Sequence, residues 1–530
     1  MATKSSSRVG TKGPAALMFG LPLVQWIWSS RISQAAVAAG LAGAAGFTLS
    51  RAMPRGPADA AQTLIMMAAC LAVGILAGLS MPSRWGVLLA LLAHMAAYEL
   101  GRMGAVGLTV DLPHLGSTYG ILAFVLGRGF HAVAGLLPLV YGASLGMRIA
   151  NHLISAASPV PQTTAGIGSV AGWAFTVLFG IALVFLAVLI ARPASTPPIL
   201  GEDGKPLPGS IAELTMVRLG GQNQAIMMRG HSVDNPVLLY LSGGPGQTDL
   251  PYTRAILQEL EKDFIIVGWD QRGSGKSYAA LDPVSTLTLD QAISDTIELA
   301  DYLRRRFDEE KVYLLGESWG STLGVLAAQR QPDRFYAFIG SGQMVSQRET
   351  DRRLYQDVLD LAARTGDEAL AQKMRAYGEP PYQDSLAYPF VMEQYDRLYK
   401  PHTPPQAYIE RGTAADLGFW GIKGSEYNLV EKVNVLRAAL DMFSVMYPQL
   451  QGLDFRRDVP NLDVPVYIMD GAAELTSRRD LALEWYEQLQ APIKRIYTFE
   501  NSAHSAAYEQ FEAFHQIMVE TVLPETYPGW

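Results

Sequence analysis

Residues 312–321 read Val-Tyr-Leu-Leu-Gly-Glu-Ser-Trp-Gly-Ser, and the class of the fold follows from them. Four apolar, β-prone residues end at a Gly-x-Ser-x-Gly turn, and residues 323–331 continue with helical spacing. A strand, a sharp turn and a helix in this order are typical of a nucleophile elbow, which exposes a serine hydroxyl. The two glycines lack a Cβ, so the strand and the helix can pass close to each other. The pattern predicts Ser318 as a nucleophile.

Strands and helices alternate through the C-terminal part of the chain. Short apolar runs predict strands at 211–219, 224–229, 237–241, 264–269, 312–315, 335–339, 466–469 and 495–499. Helical patterns lie between most of them, at 252–262, 289–307, 318–331, 477–489 and 506–521. This alternation predicts an α/β core over 210–344 and 461–530, with a mostly parallel sheet and helices on both faces. Residues 345–460 interrupt it with a helical, aromatic-rich sequence that we interpret as a cap.

The first 192 residues differ from the rest in charge and in hydropathy. They hold eleven Lys and Arg against three acids, whereas the remaining residues hold 31 basic and 47 acidic side chains. Apolar runs occur at 14–30, 32–50, 60–80, 85–101, 117–147 and 168–191. Runs of ~20 apolar residues span a bilayer as helices, because a helix satisfies its own backbone without water. Residues 1–192 are therefore predicted to form a multi-span transmembrane helical domain, and the Pro- and Gly-rich residues 193–209 a linker.

Two of these runs leave the number of spans open. The run at 14–30 is short and contains Pro22, so it either spans the membrane or lies in its interface. The run at 117–147 fits one tilted helix or a broken pair, with Pro138 as the kink. Six spans with the basic N-terminus inside would bring residue 193 out in the cytoplasm, whereas five would bring it out on the other side.

Composition and motifs argue against several classes of function. The acidic C-terminal part argues against nucleic acid as a partner. The only cysteine, Cys70, cannot form an internal disulfide. Residues 270–277 imitate a phosphate-binding loop, but Asp270 stands where its first glycine is required, which argues against nucleotide binding. No metal and no cofactor is expected.

The base and the acid of the site are expected to follow the serine in the chain. His504 follows the last predicted strand in a short polar loop, whereas the other C-terminal histidines lie in a turn, in the cap and in a helix (His231, His402 and His515). The strand at 466–469 is followed by Asp470, Glu474 and Asp480. Asp470 is too close to the strand end and Asp480 lies within the next helix. Glu474 is therefore the predicted acid, which would orient the His504 imidazole.

Residues from about 199 to 530 resemble the proline-iminopeptidase-like branch of the α/β-hydrolase superfamily. The matching segments are the acid loop, Gly243-Gly244-Pro245-Gly246, Trp269-Asp270-Gln271-Arg272-Gly273-x-Gly275-x-Ser277, Gly316-x-Ser318-Trp319-Gly320-Ser321 and Ser502-Ala-His504-Ser505. The resemblance implies Ser318 as nucleophile, His504 as base, and the backbone N–H groups of Gly244 and Trp319 as oxyanion donors. It does not cover residues 1–192.

The chain departs from that family at three positions. Ser242 stands where the first loop usually has His, Glu474 where the acid is usually Asp, and Glu317 where a small residue or His is common. Glu317 is similar to the glutamate of serine carboxypeptidases that helps to bind a substrate carboxylate; alternatively, it supports the site by hydrogen bonding. Glu317 and Gly243, in a loop whose backbone can approach a ligand, are candidates for substrate binding.

The sequence predicts a membrane-anchored serine hydrolase that cleaves an amide or ester through an acyl-enzyme. The resemblance implies an aminopeptidase that releases N-terminal residues, often proline, from short peptides, with a cap acid such as Glu393, Glu410 or Glu426 holding the ammonium group. One alternative is an esterase, lactonase or amidase acting on a lipophilic small molecule or lipid. Another is a membrane receptor or transporter whose hydrolase-like domain only binds. The expected partners are a small peptide, ester or amide and the lipid bilayer.

The resemblance also bears on location. Relatives often reach this domain through one N-terminal anchor that runs from inside to outside, and the run at 168–191 followed by a Pro-rich spacer is similar to that arrangement. We therefore expect a multi-pass protein of the cell membrane with an extracytoplasmic hydrolase domain.

Overall fold

The computed structural model describes residues 26–104, 115–157, 167–384, 387–418 and 421–528. Two compact units are distinguished. The first lies within Met1–Val106 and Gly127–Arg192, and the second within Gly107–Leu126 and Pro193–Trp530. The predicted run at 14–30 falls almost wholly outside the described residues.

The described part of the first 192 residues is helical. Its helices are α1 (Arg31–Ala52), α2 (Ala60–Ser80), α3 (Arg84–Gly101), α4 (Thr118–Phe124), α5 (Leu137–Ala157) and α6 (Ile167–Ala191). The first four begin after a side chain that accepts an N–H of the first turn, as N-caps do (Ser30, Asp59, Ser83 and Ser117). Four stretches are long and apolar enough to cross a membrane: Arg31–Ala52, Ala60–Ser80, Thr118–Ser155 and Val170–Ala191. The run at 85–101 forms α3, which is not one of these four.

The predicted span at 117–147 is one continuous helical stretch rather than a broken pair. From α4 the chain passes through two π-helical segments, Val125–Gly129 and Ala132–Leu136, before α5 begins. Pro138 is the second residue of α5 and has no N–H for the carbonyl one turn earlier. The two π-helical segments, whose turns are wider, lie on the N-terminal side of Pro138, where we predicted a kink.

The helices α2 and α5 pack with their backbones in contact. A Cβ added at any of four glycines would lie 2.0–2.2 Å from a carbonyl oxygen of the facing helix. These glycines are Gly74 and Gly78 on α2, and Gly142 and Gly146 on α5. Because each pair is spaced by four residues, both glycines of a pair lie on one side of their helix. The two helices therefore approach as closely as GxxxG pairs do.

The second unit contains one eight-stranded sheet. Its strands are β1 (Ile211–Leu219), β2 (Gln222–Gly230), β3 (Val237–Leu241), β4 (Ile265–Asp270), β5 (Val312–Glu317), β6 (Phe335–Ser341), β7 (Val466–Gly471) and β8 (Lys494–Phe499). The spatial order is β1-β2-β4-β3-β5-β6-β7-β8. Only β1 with β2 and β2 with β4 pair antiparallel; the other pairs are parallel. The expected mostly parallel α/β sheet is confirmed, and the ends of β5, β6, β7 and β8 lie along one edge.

Helices connect these strands. Those of the sheet region are α7 (Leu250–Ile256), α8 (Leu289–Phe307), α9 (Trp319–Arg330), α17 (Thr476–Gln488), α18 (Ala506–Glu509), α19 (Phe511–Ile517) and α20 (Leu523–Thr526). Those between β6 and β7 are α10 (Gln347–Thr365), α11 (Glu368–Tyr377), α12 (Ala387–Met392), α13 (Tyr395–Leu398), α14 (Gln406–Ala415), α15 (Leu429–Leu450) and α16 (Phe455–Asp458). Of the latter, α10 to α13 and α15 share a core of buried aromatic and aliphatic side chains that includes Leu475 of the acid loop.

Candidate active site

Ser318 occupies the turn between β5 and α9 in a strained conformation. Its φ is 54° and its ψ is −118°, a region that side chains other than glycine rarely adopt. The backbone has no room to relax, because a Cβ at Gly320 would lie 1.9 Å from the carbonyl oxygen of Leu241, and one at Gly316 would lie 2.4 Å from that of Gly320. The sequence predicts this elbow, and the glycines occupy the close contacts for which we expected them.

The buried Glu474 and the partly exposed His504 form a hydrogen-bonded pair. With Nδ1 as donor, the His504 ring bonds to Oε2 of Glu474, whose other oxygen accepts the N–H of Leu475 at 2.7 Å. Glu474 is 5% exposed. Burial by itself would raise the pKa of Glu474, but the His504 ring and the Arg478 guanidinium outweigh it and lower that pKa below its ordinary value. The carboxylate is therefore suited to hold one tautomer of the ring, leaving Nε2 as the proton acceptor.

The end of β6 brings Ser318 and His504 close together. The carbonyl of Ser341 accepts the N–H of Ser318 at 3.0 Å. At the next residue, Gly342, an added Cβ would lie 2.8–2.9 Å from two atoms of the His504 ring. Among the described residues the serine hydroxyl and the ring form no direct hydrogen bond, so a side-chain movement would be needed to join them.

Two glycines that the sequence analysis did not single out hold the histidine loop in place. A Cβ at Gly471, which ends β7, would lie 1.8 Å from the carbonyl oxygen of Ala503. Gly342 has a φ of 55° and lies against the His504 ring. Their only signal in the sequence is a glycine two or three residues after each of two predicted strands, which by itself does not distinguish a close contact from an ordinary turn.

The glycine loop after β3 lies against the serine. A Cβ at Gly243 would be 3.4 Å from the Cβ of Ser318, so Gly243 is in van der Waals contact with the predicted nucleophile. Gln271 braces this region, because its amide N–H donates to the carbonyl of Ser242 at 3.2 Å and its oxygen accepts from Nε1 of Trp319 at 2.8 Å. The Trp-Asp-Gln-Arg segment thus supports both sides of the predicted oxyanion hole, Gly244 on one and Trp319 on the other.

Asp470, His402 and His515, which the sequence analysis did not choose for the site, have other partners. Asp470 is bound by Arg479 through bonds of 2.7–3.0 Å. His515 contacts Asp263 at 2.9 Å, and His402 contacts the carbonyl of Lys400. Within the part of the chain that the structure describes, no group of three or more His, Cys, Asp or Glu side chains could hold a metal ion.

Glu317 lies buried beside the nucleophile. Its Oε1 accepts a hydrogen bond of 2.5 Å from the hydroxyl of Ser505, the residue after His504. Burial, together with the nearby Asp249 and Glu509, raises the pKa of Glu317 to about 8. A protonated Glu317 can donate as well as accept, so it ties the elbow to the histidine loop by hydrogen bonds.

The predicted ammonium-binding acids of the cap are not gathered in one place. Glu393 and Glu410 are exposed, whereas Glu426 is fully buried and its Oε1 binds Nε of Arg254 at 2.5 Å.

A family model of the alpha/beta hydrolase fold matches residues 236–509. The chain belongs to the α/β-hydrolase family. It is 32% identical over 308 residues to the probable aminopeptidase YbaC of Bacillus subtilis (strain 168), which covers 58% of this chain and 94% of that protein. It is 23% identical over 303 residues to the proline iminopeptidase of Lactobacillus delbrueckii subsp. lactis, which covers 56% and 93%.

Among solved structures, a proline iminopeptidase-related protein of Thermus thermophilus is 21% identical, with a TM-score of 0.42 over 60% of this chain and 100% of that one. The matches to the curated relatives confirm the resemblance to proline iminopeptidases. This α/β-hydrolase therefore belongs among hydrolases related to the proline iminopeptidases.

Proposed function

We propose that this α/β-hydrolase is a membrane-anchored serine hydrolase that cleaves an amide or ester through an acyl-enzyme. In this proposal Ser318 is the nucleophile, His504 the base and Glu474 the acid. The observation that supports it most is the Glu474–His504 pair beside a serine in a strained elbow. Ser341 contacts Ser318, and the next residue, Gly342, contacts His504. A packing role alone would not require strain at a serine or a buried charge facing an imidazole.

The proposed chemistry follows from the positions of these groups. As Ser318 Oγ attacks the substrate carbonyl, His504 Nε2 takes its proton, and the Glu474 carboxylate stabilises the resulting imidazolium. The N–H groups of Gly244 and Trp319 would bind the oxyanion of the tetrahedral intermediate. When that intermediate collapses, the proton passes from His504 to the leaving amine or alcohol. Water, deprotonated by the same ring, then releases the acyl group and restores the serine.

The proposed substrate is a short peptide from which the N-terminal residue is released. The support is the relationship to a probable aminopeptidase and to proline iminopeptidases over more than 90% of their lengths. An enzyme of this kind needs an acceptor for the substrate's α-ammonium group.

An esterase or amidase acting on a lipophilic substrate is the second candidate. It is favoured by the state of the three cap acids, since two are exposed and the third is already paired. Comparing aminoacyl-arylamides with short acyl esters distinguishes the two. An enzyme that prefers the free amino group by a large factor is an aminopeptidase, whereas one that is indifferent to it supports the second candidate.

Membrane anchoring is part of the proposal. Four helical stretches have the length and hydropathy of spans, and we propose that they hold the enzyme in the cell membrane with the hydrolase unit on the extracytoplasmic side. Protease added to intact cells is expected to remove the hydrolase unit. Protection in intact cells, with digestion after lysis, would place that unit in the cytoplasm.

Labelling with a fluorophosphonate probe tests the chemistry. The wild-type protein in detergent is expected to be labelled, Ser318→Ala not at all, and His504→Ala slower by ~100-fold or more. Ser294→Ala is the control; it removes a hydroxyl on α8 that donates to the carbonyl of Asp290 and accepts from Arg330 at 3.5 Å. A folded wild-type protein that stays unlabelled contradicts the enzymatic proposal and favours a binding role.

A further inference from the structure

Arg478 is a buried cation behind the Glu474–His504 pair. Its side chain is 5% exposed, and its Nη1 lies 3.7 Å from Oε1 of Glu474 and 3.4 Å from Nδ1 of His504. Nδ1 cannot accept from Arg478 while it donates to Glu474, so the contact with the ring is electrostatic rather than a hydrogen bond.

The position is unfavourable for an arginine unless it has a role there. Arg478 is the third residue of α17, where the helix dipole disfavours a cation, and its Nε has no hydrogen-bond partner among the described residues. A buried charge is costly, and no other ion pair of Arg478 compensates for it in the part of the chain described. Among the described residues, Glu474 is the one acid with which Arg478 forms an ion pair.

The cap holds Arg478 in this place. The guanidinium carbon lies 4.5 Å from the ring centre of Tyr395 on α13, a distance suited to a cation–π contact. The other ionisable groups that face it are Tyr388 on α12, Tyr399 after α13, and Asp351 on α10. Asp351 itself bonds Tyr447 and Gln347. These contacts prevent the side chain from turning out to solvent.

We propose that Arg478 is a positioning residue for the reaction, acting through Glu474 and His504. It holds Oε1 of Glu474, the oxygen that also accepts the N–H of Leu475, so that Oε2 stays aligned with Nδ1. Its positive charge also helps to lower the pKa of Glu474, so that this residue remains a carboxylate and holds the ring at lower pH. The inference rests on the proposed function, since it assigns a role within that triad.

The test compares full-length variants in detergent, using the pH dependence of kcat/KM and of the rate of fluorophosphonate labelling. Arg478→Met removes the charge and the contact with Glu474, so the pKa of Glu474 should rise and the acidic limb of the pH profile is expected to move to higher pH. The value of kcat at the optimum is expected to fall ~10-fold because the acid is less well aligned. KM should stay unchanged, because no contact with substrate is removed. Arg478→Lys keeps the charge and should restore the position of the limb.

Arg479→Met is the matched control, since it removes the neighbouring arginine, which binds Asp470 instead. It is expected to leave the profile where the wild type has it. If Arg478→Met does not fold, Arg478→Gln is used, which is neutral but can still bond to Glu474; it too should move the limb. An acidic limb that stays in place in a folded neutral variant, or moves equally in Arg478→Lys, overturns the inference. A wild-type enzyme without labelling at Ser318 overturns the proposed function as well.

Discussion

Gly471 touches the carbonyl of Ala503 so closely that a Cβ there would lie 1.8 Å from the oxygen. Through this contact the end of β7, which leads to Glu474, fixes the position of the loop that carries His504. The distance between the predicted acid and base is therefore fixed by backbone packing as well as by their own hydrogen bond.

Gly471→Ala is expected to destabilise the hydrolase unit by about 1–3 kcal/mol, because the added methyl overpacks a contact that can relax only by moving the loop. The labelling rate should fall by ~100-fold, since a displacement of the base by ~1 Å is enough for that. Gly412→Ala is the control, because a Cβ there meets no atom within 4 Å. Equal labelling rates in the two variants would show that the loop does not depend on this contact.

Replacing the strained serine by glycine separates stability from activity. Ser318→Gly and Ser318→Ala both lose the nucleophile, but only glycine adopts a φ of 54° without strain. We expect the glycine variant to be more stable than the alanine variant by ~1 kcal/mol. This difference is the backbone strain that glycine relieves, reduced by the larger conformational entropy that glycine gives the unfolded chain. The measurement is the apparent melting temperature of each protein in the same detergent. A glycine variant that melts below the alanine variant contradicts the strain argument.

Glu317 is expected to make stability fall as pH rises. Burial raises the pKa of Glu317 to about 8 in the folded protein, above its value in the unfolded chain. Its contribution is therefore fully present below the unfolded pKa and is lost as pH rises through about 8. Glu317→Gln cannot ionise, so it should equal the wild type in melting temperature near pH 5 and exceed it near pH 9.

The exposed Glu310 provides the control for that experiment, since Glu310→Gln removes an acid at the surface. Its melting temperature should follow the wild type across the whole pH range. If the curves of Glu317→Gln and wild type run parallel, the carboxyl group is charged in the folded protein at neutral pH.

The glycine contact between α2 and α5 can be tested by one bulky substitution. A side chain at Gly78 would collide with the carbonyl oxygen of Ala143, because its Cβ would lie only 2.0 Å away. We expect Gly78→Ile to lower the melting temperature of the helical unit and the yield of folded protein, at a cost of ~3 kcal/mol or more since the backbones must separate. Gly40→Ile on α1 is expected to behave as the wild type, because Gly40 is exposed and a Cβ there meets no atom within 4 Å.

The sheet could be predicted from the sequence because its five central strands, β3 to β7, are short, wholly buried and mostly apolar runs. The end of β5 at the elbow, the hairpin of β1 and β2, and α8 from Leu289 to Phe307 all lie within two residues of where the pattern places them. The run at 506–521 was predicted as a single helix and is instead divided into α18, α19 and a π-helical segment. The helix breaks at Gln510, whose side chain bonds Ser502, a tertiary contact that periodicity does not contain.

The sequence likewise predicts some residues of the candidate site and not others. Ser318, Glu474 and His504 each follow a strand of one parallel sheet, so their order along the chain predicts their common edge. Arg478, Gly342 and Gly471 carry no comparable signal, because their roles depend on distances between loops that are far apart in sequence. The sequence also left open which acid receives the substrate's amino group, and the cap acids are too scattered in the structure to select one.

The paired glycines of α2 and α5 have a mechanical consequence. Carbonyl oxygens of each helix sit in notches on the other at four points, so a slide of one residue would push a side chain against a backbone oxygen. Neither helix can therefore slide along the other, and a rotation of one helix must carry the other with it as a rigid pair.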